Sequence, residues 1–344
     1  MSGGTLSYPP AAVAATTTKT VPISSTNAAI NTIQQTTAPN LNCLLDLPPP
    51  PSPYHVRIYL CRHGQTENNR LRLVQGSRVD PPLNKNGKSM GRRIGLALSK
   101  LDIDGSSIST TTLLPKVGYH SLLTRAKETA LTASQTVSRI RDDKKHIEKD
   151  NALLVQTYDT DVMDSFQDGS SSGGSIVLNP LSTLGEVDFG PTTEGKSVTE
   201  MKAGMMKTWG LWSLGNIDVR PDGGGENARE VLTRVSSALQ TLSQTASQNG
   251  GSIFAVSHST YLRMLLAAIT DTSLAEAALF EQKNGCINVL DIDTRPGATV
   301  TLTSNCKLLG GPISNVEKDF KLELPKTSLV RMNEVRHLEG VNLV

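Results

Sequence analysis

The sequence predicts an α/β fold, a β-sheet covered by helices on both faces. Short β-prone runs alternate with longer segments whose apolar residues recur at helical spacing. Clusters of Arg, His and Ser stand where such runs hand over to helices, which is where an open α/β sheet binds its ligand. The 344 residues suffice for one large domain with tails, or two modest ones.

Along the chain, Val56 to Cys61 reads as a buried strand entering a turn at His63-Gly64. Asn84 to Leu101 reads as a helix, with Met90, Ile94, Leu98 and Leu101 on one face. Val117 to Leu123 is a second strand and Arg125 to Ile140 a second helix. Asn227 with Glu230 offers a capping box for a helix carrying Val231, Leu232, Val235, Leu239 and Leu242. Ser252 to Val256 is a strand, and a helix follows from about Tyr261. Cys286 to Asp293 and Ala298 to Ser304 read as two strands joined at Arg295-Pro296-Gly297. No internal repeat is visible.

Composition narrows the function. Only 37% of the residues are hydrophobic and 4% aromatic, so part of the length is expected to lie outside any core. A net charge of +2 gives no broad basic field, and no nucleic-acid partner is expected. The richest apolar run, Tyr261–Ile269, is broken by Arg263, so no membrane span is expected either. Four scattered cysteines form no CxxC, and six dispersed histidines form no HxxxH. That pattern suits a reducing compartment without structural metal, with a disulfide between two distant cysteines left open.

Residues 1–54 are rich in Thr, Ser, Ala and Pro and read as a disordered leader ending in a stiff polyproline connector, Pro48 to Pro51 and Pro53. The leader lacks the basic region and apolar block of a secretory signal. A cytoplasmic protein is expected, with organelle targeting by the leader left open. The folded domain is placed at 55–310, with a flexible acidic and Gly/Ser-rich insertion at 159–180, and 311–344 is a C-terminal extension.

Three polar clusters carry the chemistry: Arg62-His63-Gly64-Gln65-Thr66, Ser121 through Arg125, and Ser257-His258-Ser259. Converging, they set two arginines and two histidines around one point. Guanidinium forks fit phosphoryl oxygens, and the N-terminus of a helix after Gly64 would add N–H groups and a favourable dipole. Such a pocket calls for a phosphate. Arg125 at the head of a helix opposes the helix dipole, which itself asks for a functional explanation.

With Asn69, the string Arg62-His63-Gly64-Gln65-Thr66 resembles the RHGxT signature of the histidine phosphatase superfamily, which includes phosphoglycerate mutases and fructose-2,6-bisphosphatases. Further segments match in order: Gln75-Gly76; Asp80 to Leu83 with Gly87; Ser121, Leu123, Arg125, Ala126, Thr129 and Ala130; Leu184-Gly185-Glu186 with Phe189-Gly190 and Glu194-Gly195; Gly224-Gly225-Glu226 with Arg234; and Val256-Ser257-His258 with Arg263. The likeness runs from about Val56 to Ser304, with a faint echo at Asn333 to Leu338. It implies a three-layer sandwich with a mostly parallel central sheet flanked by helices, phosphoglycerate mutase-like in fold.

The resemblance also implies roles. His63 is the nucleophile, oriented by a backbone hydrogen bond that a tight turn at Gly64 would allow. Arg62, Arg125 and His258 hold the equatorial oxygens, and Asn69, Gln75 and Gly76 join the substrate-binding set. Glu186 protonates the leaving oxygen and then takes a proton from water, a role that asks for a raised pKa. Gly190 and Glu194 are separated by three residues where the family usually has two, so Asp188 is the alternative acid. No metal or cofactor is implied, because the arginines supply the positive charge.

The activity expected is hydrolysis of a small phosphorylated metabolite through a phosphohistidine. The alternatives are phosphoglycerate mutase or fructose-2,6-bisphosphatase activity, or a phosphate-binding scaffold without turnover. Mutases of the family carry an arginine-rich stretch, whereas Lys196 to Asp222 here offers only Lys196, Lys202, Lys207 and Arg220. Substrate identity and oligomeric state are not readable. Glu226 reads equally well as a helix-start carboxylate. His55, His120, His146 and His337 are taken as structural or solvent-facing, Cys61 as a small buried hydrophobe, and Trp209 and Trp212 as core.

Overall fold

Period-two alternation dictates the central layer of the structure. Along β1 (His55–Arg62), Ile58 and Leu60 face one side while Tyr59 and Cys61 face the other, and all four are buried. A strand apolar on both faces needs cover on both, and helices supply it. The computed structural model describes residues 39–102, 114–142, 151–160, 176–311 and 320–341, all within the unit Thr36–Val344.

The sheet has six strands in the order β3-β2-β4-β1-β5-β8, with β2 Val117–His120, β3 Val177–Pro180, β4 Ser252–Ser257, β5 Ile287–Asp293 and β8 Thr327–Glu334. The first four in that order run parallel, and β5 and β8 pair antiparallel at one side. The short helix α1 (Glu67–Arg70) follows β1. On one face, α2 (Lys85–Ser99) and α3 (Thr124–Asp142) bury Ile94, Ala97, Leu98, Ala126, Ala130 and Val137 against Tyr59, Cys61, Phe254 and Val256. The other face takes α5 (Val198–Ser213), α6 (Ala228–Gln248) and α7 (Ser259–Thr270). Each fully buried Leu or Ile contributes about 2 kcal/mol of transfer free energy. Three layers and a mostly parallel sheet agree with expectation.

Most anticipated elements appear within one to three residues. The capping box of α6 is complete: Glu230 N donates to Asn227 Oδ1 at 2.9 Å and Asn227 N to Glu230 Oε2 at 3.0 Å. Trp209 and Trp212 are buried core, with the Trp212 indole donating to Val219 O.

Three readings are corrected. The two strands expected around Arg295-Pro296-Gly297 are present, and they do not pair with each other. β5 stays in the main sheet beside β8, while β6 (Thr299–Thr303) leaves it to pair with β7 (Lys321–Pro325) over α6. The C-terminal extension is therefore no appendage, since it supplies an edge strand of the main sheet. The folded unit begins by residue 39 rather than 55: Leu41, Cys43 and Leu44 are buried, and Asp46 pairs with Arg331 and Arg336. This patch of three apolar residues is diluted in the composition of the whole leader. Of the insertion, residues 161–175 lie outside the described residues, but 177–180 form β3. Asp159 is a buried carboxylate holding Arg92 and Arg93 of α2. Residues 1–38 and His146 also lie outside the described residues. The helices α4 (Asn151–Tyr158) and α8 (Leu274–Ala277) complete the set.

Candidate active site

Register brings the clusters together. Arg62 lies opposite Ser257 and His120 opposite Val256, so β1, β4 and β2 end at one level. His63 and His258 then leave adjacent strands side by side, their ring centroids 5.1 Å apart. Arg125 reaches in from the first turn of α3. Arg125 and Arg62 both act electrostatically on the two imidazoles, and Glu186 acts on both arginines.

His63 is buried and held through Nδ1, 2.7 Å from the carbonyl oxygen of Gly64. A carbonyl only accepts, so Nδ1 carries the proton and Nε2 the lone pair. Burial drives the His63 pKa well below the usual histidine value, and the Arg125 and Arg62 guanidiniums push it the same way. The ring is neutral, with an unprotonated Nε2. Gly64 is needed for a close approach rather than for a left-handed turn: a Cβ there would sit 2.4 Å from Gly87 O at the start of α2. Thr129 Oγ1 accepts from Gly64 N at 2.9 Å and fixes the loop further.

His258 is buried and neutral for the same reasons: burial first, then Arg125, His63 and Arg62. Its Nε2 lies 2.6 Å from Ser121 Oγ, which already accepts from Leu123 N at 3.2 Å. The serine proton is thus free to donate to Nε2, leaving Nδ1–H as a donor. Among the described residues, five buried side-chain nitrogens find no hydrogen-bond partner, and three of them, His258 Nδ1, Arg62 Nε and Arg125 Nε, belong to this cluster. A buried donor without an acceptor is costly, and a phosphoryl group brings three acceptor oxygens.

The remaining contacts of the arginines hold them in place. Arg62 donates through Nη1 to Gln282 O at 2.5 Å, and its pKa falls to about 10 through burial. Arg125 donates to Gly76 O and Val79 O, each at 2.9 Å, and approaches Asp80 at 3.4 Å. These bonds offset the unfavourable helix head.

Glu186 stands at the N-terminus of α7. Oε1 accepts from Tyr261 N at 3.0 Å and Val187 N at 2.9 Å, and Oε2 from Thr260 N at 3.2 Å. It therefore neighbours His258, the N-cap residue of α7, which makes no side-chain cap bond of its own. Asp188 is committed elsewhere, in a two-pronged pair with Arg78 at 2.7 and 2.8 Å. Burial works to raise the Asp188 pKa, but Arg78 and Gly190 N–H outweigh it and hold the carboxyl below its usual value. The extra residue after Gly190 is absorbed in a turn in which Thr193 N and Glu194 N both donate to Gly190 O. Glu226 is more than a helix-start charge: it grips Arg234 at 2.6 and 2.8 Å, and Arg234 donates to Thr183 O and Gly185 O, anchoring the loop of Glu186.

The oxygens of the other expected substrate-binding residues bond within the protein. Asn69 Oδ1 completes a capping box with Thr66 over α1, a four-residue helix whose N-terminus is satisfied from within. The anion-binding helix expected after Gly64 is thus absent. Gln75 Oε1 accepts from Thr66 Oγ1, and Gly76 offers its carbonyl to Arg125 with Glu194 packed against its Cα. Asn284 was not anticipated. Its amide donates to His63 O at 3.2 Å and to Asn69 Oδ1 at 3.1 Å, and no motif in the sequence signals it. Among the described residues, no group of three or more His, Cys, Asp or Glu is placed to hold a metal ion. No described helix is long and apolar enough to cross a membrane.

An α/β sheet with two neutral imidazoles and two arginines at its strand ends suits phosphoryl transfer. The profile of the histidine phosphatase superfamily (branch 1) matches residues 58–162 and 170–305, and the chain belongs to that superfamily. Its activity is of the phosphatase or mutase kind. Among solved structures the chain is similar to a mycobacterial hydrolase, "Mycobacterial hydrolase 2", at 17% identity, covering 81% of this chain and 91% of that one with a TM-score of 0.50. It is similar to a phosphoglycerate mutase from Bacillus anthracis at 19% identity, with 70% and 89% covered and a TM-score of 0.47. It is also similar to a mycobacterial glucosyl-3-phosphoglycerate phosphatase at 18% identity, with 69% and 91% covered and a TM-score of 0.47. No curated protein sequence matches the chain.

The buried histidines set an acid limit on stability. His63 and His258 titrate well below 6.5, and His337 is pushed down to about 4 by burial. The unfolded chain takes up protons first as pH falls through about 6.5, so stability present above that value is lost progressively toward pH 4. Each such histidine contributes a slope of up to about 1.4 kcal/mol per pH unit. Urea midpoints should drop markedly between pH 7 and 5 at constant m-value; a flat profile would mean the rings are not held neutral.

Proposed function

We propose that this chain hydrolyses a small phosphorylated metabolite through a phosphohistidine on His63. The observation that carries the reading is the Nδ1–H bond to Gly64 O, which leaves a neutral Nε2 lone pair beside Arg62, Arg125 and His258. Nε2 attacks phosphorus as the ester P–O bond breaks, and the leaving oxygen takes a proton from Glu186. Water then gives its proton to Glu186 and attacks phosphorus; the P–N bond breaks and its electron pair returns to Nε2. The guanidiniums and the His258 donor neutralise the equatorial oxygens throughout.

Hydrolysis is favoured over mutase chemistry by charge. Arg220, the lone arginine between Lys196 and Asp222, is engaged by Glu230 at 2.6 Å, and the three lysines there are exposed. A panel of phosphate esters including 3-phosphoglycerate tests the reading by tracking free phosphate against isomerised product. Isomerisation faster than release makes the enzyme a mutase, and inertness toward every ester makes it a scaffold.

Glu186 and Asp188 are separated by leaving group. Glu186→Gln should lower kcat about 100-fold on an alkyl phosphate but far less on p-nitrophenyl phosphate, whose leaving oxygen needs no proton. Asp188→Asn should change neither ratio. Equal losses on both esters for Glu186→Gln would remove the acid role and leave Glu186 as a cap of α7.

A further inference from the structure

The strand β8 and the turn after it lie beyond residue 305, where the match to the superfamily ends, yet they reach the catalytic loop through one intermediate segment. That segment is 282–285. Its Gln282 carbonyl receives Arg62 Nη1, its Asn284 amide donates to His63 O and Asn69 Oδ1, and Gly285 N donates to His63 O at 3.1 Å. The segment thus holds the Arg62 guanidinium and the His63 carbonyl, while Cys286 O, next along the chain, accepts from Arg62 N at 3.0 Å.

Asn333 of β8 and His337 of the turn after it hold the segment in turn. Asn333 Oδ1 accepts from Lys283 N at 2.9 Å, and Asn333 N donates to Asn288 Oδ1 at 3.0 Å. Asn288 exchanges bonds with Gln282 at 2.8 and 3.1 Å and donates to Leu60 O. Asn333 adopts a left-handed φ of 53°, a costly backbone for a non-glycine residue, where the β5–β8 register is irregular. His337 is fully buried, its Nε2 3.1 Å from Gly285 O; the carbonyl only accepts, so Nε2–H donates. Gly285 itself has a φ of 73°, and a Cβ there would press on Met90 and Leu338.

We propose that Asn333 and His337 are positioning residues for the phosphoryl-transfer site, clamping 282–285 so that His63 keeps its ring orientation and Arg62 its reach. Neither touches substrate. The proposal rests on His63 being the nucleophile. Supporting groups of this kind typically change activity ten- to a hundredfold, because a ring misplaced by a fraction of an ångström loses in-line attack. The clamp is itself fastened: Arg331 and Arg336, flanking Asn333, pair with Asp46 from the leader.

The test uses the full chain carrying Asn333→Gly, His337→Leu or both. Glycine keeps the left-handed backbone and leucine most of the buried volume, so thermal melting should stay near that of the wild type. On a small phosphomonoester, kcat should fall about tenfold in each single variant while KM moves less than about twofold. The imidazole nitrogen spectrum of His63 should report Nδ1–H alone in the wild type and a mixture of tautomers in the double variant. His337→Gln, which retains a donor for Gly285 O, should recover most of the lost kcat. A folded double variant with wild-type kcat and an unchanged ring spectrum overturns the clamp. A wild-type chain that cleaves no ester overturns the phosphatase reading instead, and the ring spectrum then decides on the clamp by itself.

Discussion

His63→Ala should abolish phosphate release, a loss of at least about 10⁴-fold, while leaving a folded protein. The expectation follows from what the ring does and does not hold. Its one hydrogen bond runs to the carbonyl of its own neighbour, Gly64, so no distant element depends on it. Arg62, Arg125 and His258 keep their own partners among the protein's carbonyls and Ser121, and the variant should still bind inorganic phosphate. Rapid-quench labelling should show acid-labile phosphoprotein in the wild type and none in the variant. Turnover persisting in His63→Ala would point to a different nucleophile and end the mechanism.

Arg125→Leu carries the second largest effect, about 10³-fold in kcat/KM, the scale of losing one preorganised charge on a developing oxyanion. The buried guanidinium also donates to Gly76 O and Val79 O, so its loss leaves two carbonyls without donors and costs about 2 kcal/mol of stability. Arg125→Lys should not restore activity, because one ammonium cannot serve both carbonyls and a phosphoryl oxygen. A titration separates the electrostatic role from the structural one. Arg125 is among the groups holding His63 and His258 below their usual pKa, so both rings should titrate closer to 6.5 in the leucine variant. Activity within tenfold of wild type, with unmoved histidine pKa values, would show that Arg125 is only a strut.

The legible part of the site and the hidden part differ in kind. His63, His258 and Arg125 were readable because each stands in a short run of unusual residue types at a strand–helix junction. Ser121 was readable only as a motif letter; its service to His258 needs the register of β2 on β4. Gly64 was assigned to a turn, whereas the close approach of α2 explains it. The motif shared with His63 marks Asn69, Gln75 and Gly76, but that Asn69 Oδ1 and Gln75 Oε1 accept from Thr66 and Gly76 O from Arg125 is visible only in the fold. Asn284 gives no signal, and Asn333 and His337 only the faint echo at 333–338, because amides and a lone histidine far down the chain acquire meaning only from what they meet.

What the sequence by itself determined is the local chemistry: which strands are apolar on both faces, where α6 is capped, and which runs concentrate guanidinium and imidazole. Those properties depend on neighbours within a turn or two of chain, so a linear reading captures them. Tertiary structure alone decided that Glu186 rather than Asp188 is left without a cationic partner of its own, through the Arg78 pair. It alone decided that β5 pairs with β8 instead of β6, and that residues 282–285 sit beneath the catalytic loop. Hydrogen bonds and ion pairs between residues more than a hundred positions apart have no sequence period, and only the packed sheet brings their partners within reach.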